Sequence, residues 1–128
     1  MHRIKRADVP TVTATLLKKQ SYTCPLCKGS LKASAKKDPV LDHDHKDGHI
    51  RDVLCRNCNG IEGKVFNLSR RAKNGMTEMQ WLANLVRYWH RHQEAQHGVT
   101  HHTHLTAEEK RLARNKKARL KRARAKRG

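Results

Sequence analysis

Aromatic residues are nearly missing from this chain of 128 residues: they make up 4%, with a single phenylalanine, and all hydrophobic residues together reach only 36%. Such a composition supports one modest core, so something other than apolar burial is expected to help hold the fold. No run approaches the ~20 consecutive apolar residues of a membrane-crossing helix, which excludes a transmembrane span. The start of the chain, Met1 to Pro10, is basic and has no apolar h-region, so no secretory signal is expected and the expected location is the cytoplasm. Acidic residues are scarce too: 11 Asp+Glu stand against 29 Lys+Arg, a formal charge of +18 at pH 7. That charge points to a polyanionic partner, nucleic acid before membrane, since no apolar stripe for a lipid surface accompanies it.

There are only four cysteines, and they fall as Cys24-x2-Cys27 and Cys55-x2-Cys58, with 27 residues between the inner pair. Two disulfides or a redox role would also use four cysteines, but in a reducing compartment paired CxxC motifs read as zinc ligands. A two-residue gap lets one tight turn aim two thiolates at one metal, and two such turns complete a tetrahedron with Zn–S bonds of ~2.3 Å. Structural zinc can contribute ~10–16 kcal/mol of apparent binding free energy to folding, a large contribution for so apolar-poor a chain. The insert that the zinc would clamp then decides the function.

Patterning divides the chain into five segments. Residues 1–20 form a basic start with a short helix from Thr11 to Gln20 that carries Val12, Leu16 and Leu17. Residues 21–75 hold the cysteines, a lysine-rich loop from Lys28 to Asp38, strands at Val40–His43 and His49–Leu54, and the Asp47-Gly48 signature of a hairpin turn between them. A helix follows from Cys58 to about Lys73, ended by Asn74-Gly75. Residues 76–92 read as an amphipathic helix opened by a Thr77/Gln80 capping box, with Leu82, Leu85, Val86 and Trp89 on one face. Trp81 and Trp89 read as packing residues rather than base-stacking platforms. Residues 93–105 are a linker, part of a stretch from His90 to His104 with six histidines that read as solvated. Residues 106–128 open with a second capping box, Thr106/Glu109, and carry eleven Lys/Arg against two Glu, half of the net charge. With only Leu112 and Leu120 to pack, this tail is expected to be disordered, or a fraying helix that orders on nucleic acid.

The chemistry concentrates in Leu41-Asp42-His43-Asp44-His45. On a strand, Asp42 and Asp44 share one face while His43 and His45 share the other. Asn59 and Glu62, spaced i,i+3, lie on one face at the start of the following helix. Carboxylate and amide oxygens suit a hard cation such as Mg²⁺, while thiolates take zinc. A histidine beside such a metal can act as general base near neutral pH. With a basic surface around them, these residues read as a site for metal-assisted phosphodiester hydrolysis.

The pattern Cys24-x2-Cys27 … Leu41-Asp42-His43-Asp44-His45 … Arg51-Asp52-Val53-Leu54-Cys55-x2-Cys58-Asn59-x2-Glu62-Gly63 resembles the bacteriophage endonuclease VII family of His-Me finger (HNH-type) nucleases. The resemblance covers roughly Lys18 to His90 and includes the segment Trp81 to Tyr88; Asp52 departs from it, standing where the family often has glycine. It implies a small α+β fold: a zinc-stapled ββα-metal core with flanking helices and a basic C-terminal tail. It further implies that Asp42 and Asn59 hold one catalytic Mg²⁺ or Mn²⁺, that Glu62 joins or supports them, and that His43 activates water for in-line attack. Cys24, Cys27, Cys55 and Cys58 match the family's structural zinc, while Asp44 and His45 match its motif in an orienting or phosphate-contacting role. The partners implied are DNA, duplex or branched, and a second copy of the chain or a phage replication or recombination protein, with no membrane. The location implied is the host cytoplasm for a phage-encoded chain. The alternative is a non-catalytic zinc-knuckle accessory that binds nucleic acid; Asp42, His43 and Asn59 together favour the enzyme, since a pure binder needs no base and no second metal.

Overall fold

The computed structural model describes residues 1–34, 38–72 and 74–128. A 3-10 turn at Arg6–Asp8 leads into α1 (Val9–Lys19), β1 (Pro39–His43), β2 (Ile50–Cys55), α2 (Arg56–Ala72), α3 (Glu78–Arg91) and α4 (Ala107–Arg127). The protein is thus a small α+β fold with one two-stranded sheet and, among the described residues, four α-helices. It divides into two units, Met1–Leu85 and Val86–Gly128, with the boundary inside α3. None of the helices, among the described residues, is long and apolar enough to cross a membrane. Part of the expected lysine-rich loop, residues 35–37, and the expected helix end at Lys73 lie outside the described residues.

In the first unit, α1 begins with Pro10 in its first turn, where a missing N–H loses nothing, and ends with Lys18 and Lys19 against the negative end of its dipole. Leu16 and Leu17 pack from this helix, and Leu41 from β1, onto a core of Cys24, Leu31, Val53, Leu54, Cys55 and Cys58. Half of those six buried residues are cysteines, so the core is built largely around a cluster of sulfur atoms. Gln20, at the end of α1, serves β2 as a neighbouring strand would. Its Oε1 accepts the Val53 N–H at 2.8 Å, and its Nε2 donates to the Val53 carbonyl at 2.8 Å and the Thr23 carbonyl at 3.1 Å. The backbone of fully buried Val53 is thereby satisfied on the side turned away from β1.

The hairpin pairs Pro39 with Cys55, Val40 with Leu54 and Leu41 with Val53, after which the register slips so that His43 meets Ile50. The slip leaves Arg51 and Asp52 together opposite Asp42, a bulge that turns neighbouring side chains to new directions. The turn that joins the strands is closed by Asp44 N–H to the His49 carbonyl at 2.9 Å and Gly48 N–H to the Asp44 carbonyl at 2.8 Å. Gly48 has φ +81, a left-handed conformation that glycine adopts without strain, as the Asp47-Gly48 pair predicts.

The capping box of α3 forms in both directions: Thr77 N–H donates to Gln80 Oε1 at 2.8 Å, and Gln80 N–H to Thr77 Oγ1 at 3.2 Å. Its apolar face is only partly covered. Trp81, Leu82 and Leu85 are half-buried, whereas Val86 and Trp89, expected to pack, are each 61% exposed. Of the two alternatives for the tail, the structure has the helix: Ala107–Arg127 is one continuous helix of 21 residues with no buried side chain. Thr106 Oγ1 caps it by accepting the Glu109 N–H at 3.1 Å, and Arg111 pairs with Glu108 at 2.6 Å. Glu108 and Glu109 in the first turn, and Arg124, Lys126 and Arg127 in the last, complement the helix dipole. Alanine, leucine, lysine and arginine supply propensity along its length.

Candidate active site

The two CxxC turns bring Cys24, Cys27, Cys55 and Cys58 together, with all four Sγ atoms within 4.8 Å of one another. Cys27 and Cys55 Sγ lie 3.9 Å apart, near the ~3.8 Å edge of a tetrahedron with ~2.3 Å Zn–S bonds. None of the four is in a disulfide. In the first turn Cys24 N–H donates to the Gly29 carbonyl and Lys28 N–H to the Cys24 carbonyl, both at 2.9 Å, with Lys28 at φ 61. In the second, Cys55 ends β2 and Cys58 lies in the first turn of α2, its N–H donating to Cys55 Sγ at 3.4 Å. Burial opposes ionisation of Cys24, yet the backbone N–H groups of Cys27, Cys55 and Leu26 bring its thiol down to about 6. Cys58 is pushed up to about 12 by the Cys55 sulfur beside it and by burial. Four sulfurs of which one ionises readily and another is held back by its neighbours are a donor set whose mutual repulsion a divalent cation relieves, and they could hold a zinc ion.

At the end of β1 the expected alternation holds: Asp42 is buried and Asp44 half-buried, whereas His43 and His45 are exposed, their rings stacked at 4.9 Å. The bulge brings Arg51 onto Asp42. Arg51 Nε donates to Asp42 Oδ2 at 2.6 Å and Nη2 to Asp42 Oδ1 at 3.0 Å, and Nη2 also reaches Glu62 Oε2 at 3.1 Å. These carboxylates, Asp42 first, hold the guanidinium firmly in its charged form. One guanidinium therefore gathers a carboxylate from β1 and another from α2. Asn59, one turn ahead of Glu62 on α2, is half-buried. Asp52, whose charge next to the site was a departure from the family pattern, is exposed.

Arg51 is the residue that sequence reasoning left without a role. An arginine on a strand normally reads as an exposed charge, and the register slip that turns it onto Asp42 leaves no mark in the residue pattern. A second group not foreseen is Asp44, Asp47 and His49 in the hairpin turn. Its oxygens already serve the turn: Asp44 Oδ1 accepts the Lys46 N–H at 2.7 Å, and Asp47 Oδ1 accepts the His49 N–H at 3.0 Å and meets His49 Nδ1 at 2.6 Å. The His49 backbone N–H, then its ring, hold the Asp47 carboxyl below the usual carboxylate range.

Two clefts meet at Arg51 and Glu62. One of about 250 Å³ lies between the hairpin turn and α2 and is lined also by Asp44, His45, Lys46 and Arg70. The other, about 470 Å³, is mainly apolar, with Leu26, Ile61, Val65, Phe66, Met79 and Leu82 on its walls. The first is lined by cations and carboxylates together and by the exposed imidazole of His45. The model of the recombination endonuclease VII family matches residues 2–92, a span that takes in the sulfur cluster, the hairpin and both clefts. The chain therefore belongs to the recombination endonuclease VII family, and its role is that of a DNA endonuclease.

Proposed function

We propose that this protein is an Mg²⁺-dependent endodeoxyribonuclease whose β1–β2–α2 unit is a His-Me finger, an HNH-type ββα-metal core held by a structural zinc on Cys24, Cys27, Cys55 and Cys58. The observation that carries this reading is the convergence of Asp42 and Glu62 on Arg51, at the mouth of a cleft lined by Lys46, Arg70 and His45, the ring on which His43 stacks. Asp42, Asn59 and Glu62 offer the hard oxygen donors that Mg²⁺ or Mn²⁺ takes. A divalent ion held by these residues would supply charge neutralisation to the phosphodiester as it is cleaved. His43 takes the proton from a water molecule, whose oxygen attacks the phosphorus in line as the P–O3′ bond breaks. The products are 5′-phosphate and 3′-hydroxyl ends. Asp44 is already committed to the turn, which favours an orienting role for it; His45, stacked on His43, steadies that ring. Residues 21–75 form the nuclease core, with 1–20 and 76–92 flanking it and 93–105 linking it to the tail.

The substrate is DNA, duplex or branched, in the cytoplasm of the cell that houses the chain. A second copy of the chain, or a phage replication or recombination protein, completes any paired cutting. Supercoiled plasmid, linear duplex, nicked duplex and a synthetic four-way junction, incubated side by side with Mg²⁺ or with EDTA, test the reading. Cleavage of at least one that EDTA abolishes is expected. Tight binding of all four without cleavage in either condition would instead make the protein a zinc-knuckle nucleic-acid-binding accessory.

Residues 106–128 we read as a nucleic-acid-binding helix. Truncation after Leu105 removes eleven Lys/Arg and two Glu but none of the proposed ligands. On duplex DNA each phosphate contact adds about −0.9 to the slope of log K against log[salt]. A helix presents only about half of its circumference to a partner, so the truncation should flatten that slope by roughly 4 to 5 units. Cleavage at saturating DNA and low salt should survive. An unchanged slope would make the tail a solvated helix.

A further inference from the structure

We propose that Arg51 makes divalent-ion binding at Asp42 and Glu62 depend on DNA: its guanidinium is the resident counter-charge of the two carboxylates, and the phosphodiester supplies the negative charge that lets a divalent cation join them. This inference rests on the reading of Asp42 as the metal-holding carboxylate. Arg51 occupies both Asp42 oxygens, at 2.6 and 3.0 Å, and Glu62 Oε2 at 3.1 Å. The Asp42 side chain is 8% exposed and that of Arg51 32%, so the carboxylate depends on the guanidinium while the guanidinium also reaches the cleft. Around that cleft the carboxylates of Asp42, Asp44 and Glu62 balance the cations Lys46, Arg51 and Arg70. A divalent ion added to this balanced set leaves an excess of positive charge a few ångströms from Arg51, where like charges repel strongly in a medium of effective dielectric ~20. A guanidinium stays charged at working pH, so an anion must offset that excess. The donors for it are in place: the two Nη1 N–H groups of Arg51 have no protein partner among the described residues, and a phosphate oxygen is the acceptor they suit. Linkage is reciprocal, so DNA tightens the ion by the same factor as the ion tightens DNA.

Mn²⁺ titrated by electron paramagnetic resonance into the zinc-loaded full chain tests this, with His43→Ala as the background so that DNA stays intact. Addition of saturating short duplex should tighten Mn²⁺ at least about tenfold. Arg51→Gln in the same background should bind Mn²⁺ without DNA at least about tenfold tighter than its Arg51 parent and lose most of the gain from duplex. Arg51→Lys, which keeps the charge, should stay within about threefold of the parent. Mn²⁺ affinity that is unchanged or weaker in Arg51→Gln would mean that Arg51 only holds Asp42 in place, and would overturn the inference. Should Arg51→Gln lose its zinc or fail to fold, the parent decides alone, because equal Mn²⁺ affinity with and without duplex overturns it too. Mg²⁺-dependent cleavage by the wild type together with uncoupled Mn²⁺ binding would defeat this inference and leave the nuclease reading standing. No cleavage and no Mn²⁺ binding in any form, with or without DNA, would defeat both.

Discussion

Cys58→Ser should unfold most of the first unit. Three of the six residues of its core are cysteines, and the apolar remainder, Leu31, Val53 and Leu54, is too small to hold α1, the hairpin and α2 together. Structural zinc contributes ~10–16 kcal/mol of apparent binding free energy in small domains, comparable to or above the ~5–15 kcal/mol net stability of an ordinary protein. The expected outcome is a substoichiometric zinc content and a broad, early melt in place of a cooperative one. Chelation of zinc from the wild-type chain should reproduce that melt. A cooperative transition with a full zinc equivalent in Cys58→Ser would show that the four sulfurs are not the zinc site.

His43→Ala should lose about 10²–10⁴-fold in cleavage rate, the usual contribution of a general base, while zinc content, melting and DNA affinity stay at wild-type levels. The structure supports that separation. His43 is exposed, its ring stacks on that of His45, and its side chain makes no hydrogen bond among the described residues. Near wild-type cleavage by His43→Ala would move the base elsewhere, with His45 the first residue to test.

Much of the fold was legible because it rests on local signals. The Asp47-Gly48 turn, the Thr77/Gln80 and Thr106/Glu109 caps and the CxxC turns each depend on residues close in sequence, and each forms. The alternation that buries Asp42 and exposes His43 follows from the two-residue period of a strand. What the sequence concealed depends on long-range pairing. The register slip between Leu41 and His43 brings Arg51 rather than a smaller strand residue onto Asp42, and neither the slip nor the partner has a local signature. Likewise the apolar face of α3 is visible in Leu82, Leu85, Val86 and Trp89, but a face does not reveal how far along it a covering partner extends, and Val86 and Trp89 stand exposed. The tail takes the helical one of the two alternatives its composition left open: capping, dipole complementarity and helix-forming residues act within the helix itself and need no packed face.

The pairing with Arg51 also changes how Asp42 must be probed. Alanine there would strip a half-buried guanidinium of its main partner, so lost activity could reflect lost stability. Asparagine keeps the shape and an oxygen that accepts from Arg51 while removing the charge. The measurement that tests the central claim most directly is plasmid cleavage by Asp42→Asn beside the wild type, in Mg²⁺, with zinc content and melting recorded on the same preparations. The account predicts EDTA-sensitive cleavage by the wild type and its near-complete loss in an Asp42→Asn protein that keeps its zinc and its cooperative melt. Equal Mg²⁺-dependent cleavage by the two proteins would contradict it.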